Sequence, residues 1–199
     1  MSKKKGRTAI IIRETQETQI RLELALDGTG KAAIHSPIPF LNHMLELMTH
    51  HGNLNLSIKA QGDIEVGFHH SVEDIGLCLG EAFNRCWGDL KGVQRYGSTL
   101  LPMDEALVLV ALDLSKRPHL SYDWKTRKVR VEGFDTALIK EFFQALVNRA
   151  GITLHLKVLS GENIHHIIEA MFKGFGRALN QATRYQRGLK AVPSTKGIL

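Results

Sequence analysis

Alternation of hydrophobic and polar residues with a period of two marks four stretches of the chain as predicted β-strands. Two of them lie near the start, and the other two lie just beyond the middle of the sequence. The four stretches are TAIIIRE (8–14), TQIRLELAL (18–26), ALVLVALDL (106–114) and HLSYDW (119–124). Residues 40–56 and 138–154 instead begin with apolar residues at helical spacing and end in alternation, which predicts a helix followed by a strand in each.

These last two stretches align with each other, which indicates an internal repeat. Leu45 matches Phe143 in this alignment, and a Gly-Asp or Gly-Glu turn follows each predicted strand. Each half then has the order strand, strand, helix, strand, helix, with additional edge strands expected. Such an order predicts an α+β fold in which two β-sheets enclose a layer of helices. We expect one domain over 1–199, made of two similar halves at about 7–90 and 93–187 and a C-terminal tail.

The string His-His-x-x-Glu occurs twice, at 69–73 and at 165–169. Each copy opens a predicted helix, at 71–88 in the first half and at about 164–185 in the second. On a helix the Glu shares a face with a His three or four residues away, whereas adjacent His residues point about 100° apart. The two imidazoles of one copy therefore suit two different metal ions better than one. The alternative is a pair of solvent-facing helix starts with incidental histidines.

The alignment of the halves adds one residue to each copy, because His43 on the first predicted helix pairs with Glu141. The two candidate ligand sets are His43, His69, His70 and Glu73, and Glu141, His165, His166 and Glu169. Imidazole and carboxylate ligands without thiolates suit Mn, Fe or Zn, and a larger share of oxygen favours Mn. Structural zinc usually recruits cysteine, which these sets lack. For Glu141 the alternative is a solvated helix residue, with water or substrate in its place.

Composition narrows the class of protein. The 199 residues carry a formal net charge of +6, and none of their apolar runs is long enough to span a bilayer. This charge suits nucleic acid or an anionic small molecule. The basic residues are spread out, apart from the first few residues and 125–130, and lack the aromatic interleaving of single-strand binders. We therefore expect neither a nucleic-acid nor a membrane partner.

The two cysteines bear on the cellular compartment. Cys78 and Cys86 are eight residues apart in one predicted helix, which is too far along it for a disulfide. The basic start of the chain lacks the apolar segment of a secretory signal. These features are typical of a cytoplasmic protein with cysteines packed in a reduced core.

Six motifs occur in order along the chain and are similar to those of one family. They are FLNHML…HHG, HHSVEDIG, RYGSTLLPMDEA, DLSKRP, HHIIEAMFKGFGRAL and PSTKG. Together they resemble the imidazoleglycerol-phosphate dehydratase family of histidine biosynthesis, over a span from about Arg13 to Leu199. The order of six specific motifs makes chance or another family a poor explanation.

The resemblance implies a lyase with two Mn²⁺ ions per subunit and no organic cofactor. It also implies assembly from trimers into particles of twenty-four subunits, with active sites at subunit interfaces. The implied metal ligands are His43, His69, His70, Glu73, His165, His166 and Glu169, to which the internal repeat adds Glu141. The implied catalytic residues are Glu17, His70, Glu73 and Glu169. The implied substrate contacts are Glu17, His43, His51, His69, Arg95, Arg117, His165, Ser194, Thr195 and Lys196, of which Arg95, Arg117, Ser194 and Lys196 hold the phosphate.

The reaction implied by the resemblance is the dehydration of D-erythro-imidazole glycerol phosphate to imidazole acetol phosphate. No carbonyl acidifies the C–H bond that breaks. Bound cations lower the pKa of their ligands, so a metal-bound substrate imidazole loses its N–H proton more easily and pushes electrons toward the neighbouring carbon. The metals then serve as Lewis acids and as a template, and the phosphate contacts orient the reacting carbons.

Alternatives remain open for individual residues and for the function. Arg95 and Arg117 could instead form surface ion pairs, and the PSTKG segment could be only a polar tail. If Glu17 lies in an alternating strand, its side chain could be simply solvated. Two positions depart from the family: Glu141 stands where many relatives have His, and Leu47 stands where relatives often have Gln, which removes one polar contact. The rival functions are a metal-dependent hydrolase and a metal-binding protein without turnover.

Overall fold

The structure is a computed structural model that describes residues 6–124, 129–189 and 191–196. Part of the basic stretch at 125–130 and the glycine that closes the PSTKG motif lie outside the described residues. The strands are β1 (Thr8–Glu14), β2 (Thr18–Ala25), β3 (Lys31–His35), β4 (Asn55–Gly62), β5 (Tyr96–Met103), β6 (Ala106–Asp113), β7 (His119–Asp123), β8 (Arg130–Val131), β9 (Phe134–Asp135) and β10 (Thr153–Ser160). The helices are α1 (Pro39–Gly52), α2 (His69–Trp87), α3 (Leu138–Ala150) and α4 (Ile164–Thr183), with a 3₁₀ turn at Ile64–Val66.

Two four-stranded sheets carry the fold, in the orders β1-β2-β4-β3 and β5-β6-β10-β7. In each sheet the last strand is parallel to its neighbour, and the other pairs are antiparallel. Helix α2 packs on β1 and β2, and α4 packs on β5 and β6. Helices α1 and α3 contact β3 and β7. The predicted α+β fold, a duplicated unit with two sheets enclosing helices, is confirmed.

Alternation in the sequence sets which face of each sheet meets the helices. In β2, Ile20, Leu22 and Leu24 are buried, and the residues between them are exposed. In β6, the buried positions are likewise every second residue, with Val108 and Val110 fully covered. One apolar face per sheet therefore packs inward, and the other face remains outward.

The repeating unit contains the additional edge strands that the sequence led us to expect. Each half has the order β-β-β-α-β-α, because β3 and β5 join the sheets as edge strands. The sequence did not locate β5, because Gly97 and Pro102 weaken its alternation, and proline is tolerated only where a strand has a free edge. Nor did it locate β3, because this short strand buries only Ile34. In this order β1 corresponds to β5, and β2 corresponds to β6.

The start of α2 differs from the predicted one, whereas the start of α4 agrees with it. Helix α2 begins at His69 and not at 71, so both histidines of the first motif lie within its first turn. Helix α4 begins at Ile164, as predicted, because the side chain of Asn163 accepts a hydrogen bond from the backbone N–H of His165.

Helices from opposite halves form the close pairs in the interior. Helix α1 packs on α4, and α2 packs on α3. A Cβ added at Gly80 would lie 2.4 Å from the carbonyl oxygen of Leu146, and one added at Gly176 would lie 2.4 Å from that of Met48. Gly80 and Gly176 occupy the same position after their His-His pairs, and Met48 aligns with Leu146 in the repeat. Each helix pair therefore depends on one equivalent glycine.

Aromatic side chains fill the space between the helix pairs. Phe143 lies 5.0 Å from Phe172 and 5.6 Å from Phe175 between ring centroids, and Phe83 contacts Phe175 at 6.3 Å. All four rings are fully buried. Within the described ranges, every helix is too short or too polar to cross a membrane.

We expect Gly176→Ala to destabilise the fold, because the added methyl group would have to displace the backbone of α1. Overpacking of this kind typically costs about 1–3 kcal/mol. Denaturant unfolding of the metal-free protein measures the change. Arg177→Ala, at the next and exposed position of the helix, is the control and should change the free energy of unfolding by less than about 0.5 kcal/mol. An alanine variant as stable as the parent would contradict the close packing.

Candidate active site

Three predicted ligands converge where α1 meets α4. His43 Nε2 lies 2.9 Å from Glu169 Oε1, and His165 Nε2 lies 3.2 Å from the same oxygen. One ligand atom from each residue lies within 4.8 Å of the other two. His43 belongs to the first half of the chain, and the other two residues belong to the second. Two imidazole nitrogens and one carboxylate oxygen fit a divalent cation that accepts mixed nitrogen and oxygen ligands.

Glu169 is ionised at neutral pH in this arrangement. Burial alone would raise the pKa of its carboxyl, since the residue is only 7% exposed. Hydrogen bonds from Lys173, His43 and His165 outweigh burial and bring that pKa down to about 2. Lys173 Nζ donates to Glu169 Oε2 at 2.6 Å from one turn further along α4. The Glu169 carboxylate is therefore in the form that binds a cation.

The equivalent residues of the other helix pair lie further apart. His69 Nε2 is 3.4 Å from Glu73 Oε2, one turn along α2. Glu141 is exposed on α3, the helix that packs against α2. Within the described ranges, His43, His165 and Glu169 form the only group of three candidate ligands within 4.8 Å. Glu141 is therefore not brought to His69 and Glu73 within one chain, and its role as a ligand stays a prediction.

His70 is held from the turn before its helix. Its Nδ1 lies 2.9 Å and 3.1 Å from the two carboxylate oxygens of Asp63. Hydrogen bonding to Asp63 raises the pKa of His70. Its Nε2 lies 3.8 Å from Glu17 Oε1. Glu17 lies in the turn between β1 and β2, and not in a strand as the alternation suggested, and its carbonyl accepts the N–H of Asp63.

His166 has a similar partner from a different element. Its Nδ1 lies 2.9 Å from Glu105 Oε2 and 3.7 Å from Asp104 Oδ2, in the hairpin between β5 and β6. The hydrogen bond from His166 lowers the pKa of Glu105 to about 2, with help from the backbone N–H of Asn163, and raises the pKa of His166. His165 and His166 thus use different carboxylates.

A cavity of about 990 Å³ gathers the residues expected to hold the phosphate. It is lined by Arg95, Tyr96, Arg117, Leu189, Val192, Pro193, Ser194, Thr195 and Lys196. Hydroxyls, a lysine and two arginines make this lining suitable for an anion. The structure therefore brings the C-terminal segment to the two arginines, which are separated from it by more than 75 residues in the sequence.

The two arginines of this cavity differ in their environment. Arg95 is 8% exposed and donates to both carboxylate oxygens of Asp113, at 2.6 Å and 2.9 Å. A third bond, from Arg95 Nη1 to the carbonyl of Pro193 at 2.8 Å, fixes the C-terminal segment. Arg117 is exposed, and its guanidinium has no acidic partner within the described part of the chain. Arg95 thus forms a buried ion pair with Asp113, whereas the guanidinium of Arg117 is freer to bind a ligand.

His51 and Leu47 both lie on α1. Burial lowers the pKa of His51, and the nearby His50, Lys173 and Arg177 lower it further, so its ring is neutral at neutral pH. Leu47 is partly buried against the core and contributes no polar atom.

Four residues in these contacts were not predicted from the sequence. Asp63 and Glu105 hold the Nδ1 atoms of His70 and His166, Lys173 holds Glu169, and Glu132 Oε1 lies 3.3 Å from His165 Nδ1. The spacing of four between Glu169 and Lys173 was a usable signal, because these positions meet on a helix. Glu105 and Glu132 lie on hairpins, and their contacts depend on tertiary structure.

The chain is thus an α+β protein of two duplicated sheet-and-helix units whose clustered imidazoles and carboxylates suit a divalent cation. A family model described as imidazoleglycerol-phosphate dehydratase matches residues 36–179. The proteins of that name from Trichlorobacter lovleyi and Moorella thermoacetica are 56% and 52% identical over 97% and 98% of this chain, and the matches cover 99% of each relative.

Solved structures of proteins with the same name have the same fold as this chain. The crystal structure of imidazoleglycerol-phosphate dehydratase from Staphylococcus aureus has a TM-score of 0.82 at 40% identity, covering 90% of this chain and 99% of that one. The Pyrococcus furiosus structure, in complex with (S)-C348, has a TM-score of 0.81 at 40% identity, covering 95% and 100%. The chain belongs to the imidazoleglycerol-phosphate dehydratase family and is therefore a lyase.

We expect Lys173→Met to raise the pKa of the Glu169 carboxyl from about 2 towards its ordinary 4.5, because burial persists while the donor is lost. A lowered folded-state pKa stabilises the protein above the unfolded-state pKa, and this stabilisation is lost as the pH falls toward the folded-state value. The metal-free variant should therefore lose less free energy of unfolding than the parent between about pH 5 and pH 2.

Denaturant unfolding at a series of pH values measures this difference. Lys140→Met, which removes an exposed lysine from α3, serves as the control and should follow the parent. Equal losses in the parent and in Lys173→Met would show that Lys173 does not set the pKa of Glu169.

Proposed function

We propose that this protein catalyses the dehydration of D-erythro-imidazole glycerol phosphate to imidazole acetol phosphate in L-histidine biosynthesis. The observation that carries the proposal is the convergence of His43, His165 and the ionised Glu169 where α1 meets α4. The chain has the sequence of a dehydratase family whose name specifies this substrate. An imidazole ring and a phosphate in one substrate also match the two kinds of site in the chain.

The proposed cofactor is Mn²⁺, two ions per subunit. His43, His165 and Glu169 would hold one ion, and His69 and Glu73 would contribute to the other, with His70, His166 and Glu141 as the remaining candidate ligands. The absence of thiolates from this set and its share of carboxylates favour Mn²⁺ over Zn²⁺. When bound, the ions would act as Lewis acids on the substrate imidazole and its neighbouring hydroxyl.

The residues of the large cavity would bind the phosphate. Arg117 carries the freer guanidinium, and Ser194, Thr195 and Lys196 add hydroxyls and a second cation. Arg95 would act at the phosphate with its remaining N–H groups while it fixes Pro193 through its own hydrogen bond. Binding energy from the phosphate would then orient the carbons that react, although they lie several bonds away.

Proton transfer requires a group near the reacting carbons that is free to take and return a proton. Glu17 is an exposed carboxylate in the turn that faces His70, 3.8 Å from its Nε2. We assign Glu17 as the acid/base residue. Of the other candidates, Glu169 is ionised by its three donors and is better suited to binding a cation than to donating a proton. His70 and Glu73 stay proposed contributors at the first motif.

The candidate metal ligands within one chain are incomplete, which bears on how subunits assemble. In one chain three candidate ligands meet, whereas His69 and Glu73 form only a pair and the Nε2 atom of His166 has no hydrogen-bond partner among the described residues. Association of subunits would supply the missing ligands. We therefore propose active sites at subunit interfaces, in trimers that assemble into a particle of twenty-four subunits in the cytoplasm.

Incubation of the purified protein with imidazole glycerol phosphate tests the function. We expect imidazole acetol phosphate as the product, loss of activity on chelation, and restoration by Mn²⁺ more than by other divalent ions. Release of inorganic phosphate would identify a hydrolase instead, and binding without turnover would identify a metal-binding protein. Full activity in a protein from which metal analysis finds all ions removed would contradict the metal-dependent mechanism.

We expect Arg117→Ala to weaken substrate binding by about 2–4 kcal/mol, because it removes a charge-assisted contact to the phosphate. Binding of the dephosphorylated substrate should change far less. Steady-state kinetics with both substrates measure the two effects. Lys157→Ala, on the outer face of the second sheet, removes the same charge and should change neither. Equal losses on both substrates would place Arg117 outside the phosphate site.

A further inference from the structure

The second histidine of each His-His pair is held at its Nδ1 atom by a carboxylate from outside its helix. For His70 this carboxylate is Asp63, in the turn that precedes α2. For His166 it is Glu105, in the hairpin between β5 and β6. The repeat in the sequence pairs Asp63 with Glu162, but the side chain of Glu162 does not take this role. The same contact is therefore made twice, from elements that are not equivalent.

The contact sets which nitrogen of the imidazole carries its proton. A carboxylate accepts hydrogen bonds and donates none, so an Nδ1 atom facing it carries hydrogen. In the neutral ring the lone pair then lies on Nε2, which is the form that binds a metal ion. We propose that Asp63 and Glu105 are positioning residues that hold His70 and His166 in the tautomer and orientation required for metal binding. This inference rests on the proposed function.

The two carboxylates differ in what else they bind. Glu105 Oε1 accepts the backbone N–H of Asn163 at 2.9 Å and that of Glu162 at 3.3 Å, while Oε2 faces His166. Both oxygens of Glu105 are thus committed to different donors. Both oxygens of Asp63 face His70 Nδ1, at 3.1 Å and 2.9 Å. An amide in place of each carboxylate therefore has different consequences at the two positions.

Replacing the Glu105 carboxylate by an amide would reverse the direction of its hydrogen bond with His166 Nδ1. In Glu105→Gln, the one amide oxygen stays on the two backbone N–H groups, and the NH₂ group faces His166 Nδ1. That nitrogen must then accept, so the proton moves to Nε2 and blocks the metal-binding lone pair. In Asp63→Asn, the amide oxygen is free to face His70 Nδ1 and keeps its tautomer.

Calorimetric titration with Mn²⁺ and ¹⁵N NMR of the histidine rings in the metal-free protein test this. We expect Glu105→Gln to lower the affinity for one of the two ions by about 10–100-fold and to move the proton of His166 from Nδ1 to Nε2. Asp63→Asn should retain both the affinity and the tautomer of His70. Glu162→Gln is the matched control, since it changes a neighbouring carboxylate whose side chain makes none of these contacts.

A second variant separates positioning from support of the fold. Glu105→Ala removes the acceptor of the two backbone N–H groups, so its melting temperature should fall below that of Glu105→Gln. Its loss of Mn²⁺ affinity should nevertheless be smaller, because Nδ1 is then free to keep its proton. If Glu105→Ala lost more Mn²⁺ affinity than Glu105→Gln as well as having the lower melting temperature, the inference would be overturned.

The parent protein distinguishes this inference from the proposed function. A parent that binds no Mn²⁺ would overturn both of them. A parent that binds two ions, with Glu105→Gln binding them equally well and keeping the His166 tautomer, would overturn the positioning role alone.

Discussion

The close approach of helices from opposite halves is the constraint on which the rest of the structure depends. Gly176 lies against the backbone of α1 at Met48, and Gly80 lies against that of α3 at Leu146. Because a side chain at either glycine would push the helices apart, these contacts fix the pairs α1–α4 and α2–α3. The first pair brings His43 to Glu169, although 126 residues separate them in the sequence. The site therefore combines candidate ligands from both halves of the chain.

The charged side chains around the candidate metal site and the large cavity then determine which ions each can bind. Basic side chains stand at two places that matter: Lys173 lies beside the buried carboxylate, and Arg95 and Arg117 line the large cavity. Lys173 keeps Glu169 ionised despite burial. Asp113 neutralises Arg95 and leaves Arg117 as the freer cation. One region is thereby suited to a cation held by imidazoles and a carboxylate, and the other is suited to a phosphate.

The sequence predicted the architecture better than the contacts within the site. Strand alternation and the doubled His-His-x-x-Glu motif were enough for the α+β fold with two enclosing sheets, because both signals are local. Additional edge strands were expected, but the positions of β3 and β5 were not predicted, since few of their residues are buried in a regular pattern. The roles of Glu105 and Glu132 were not predictable from spacing, because a hairpin distant in the sequence brings each to its histidine. The repeat paired Glu141 with His43, but in one chain Glu141 does not join His69 and Glu73.

The proposed metal site at the α1–α4 pair is open to a direct test. Crystals of the protein loaded with Mn²⁺, measured with X-rays near the manganese absorption edge, locate the ions directly through their anomalous scattering. We expect two peaks per chain, one of them within direct bonding distance of His43 Nε2, His165 Nε2 and a carboxylate oxygen of Glu169. Occupied manganese peaks elsewhere, with Glu169 still bound only to Lys173 and the two histidines, would contradict the proposal.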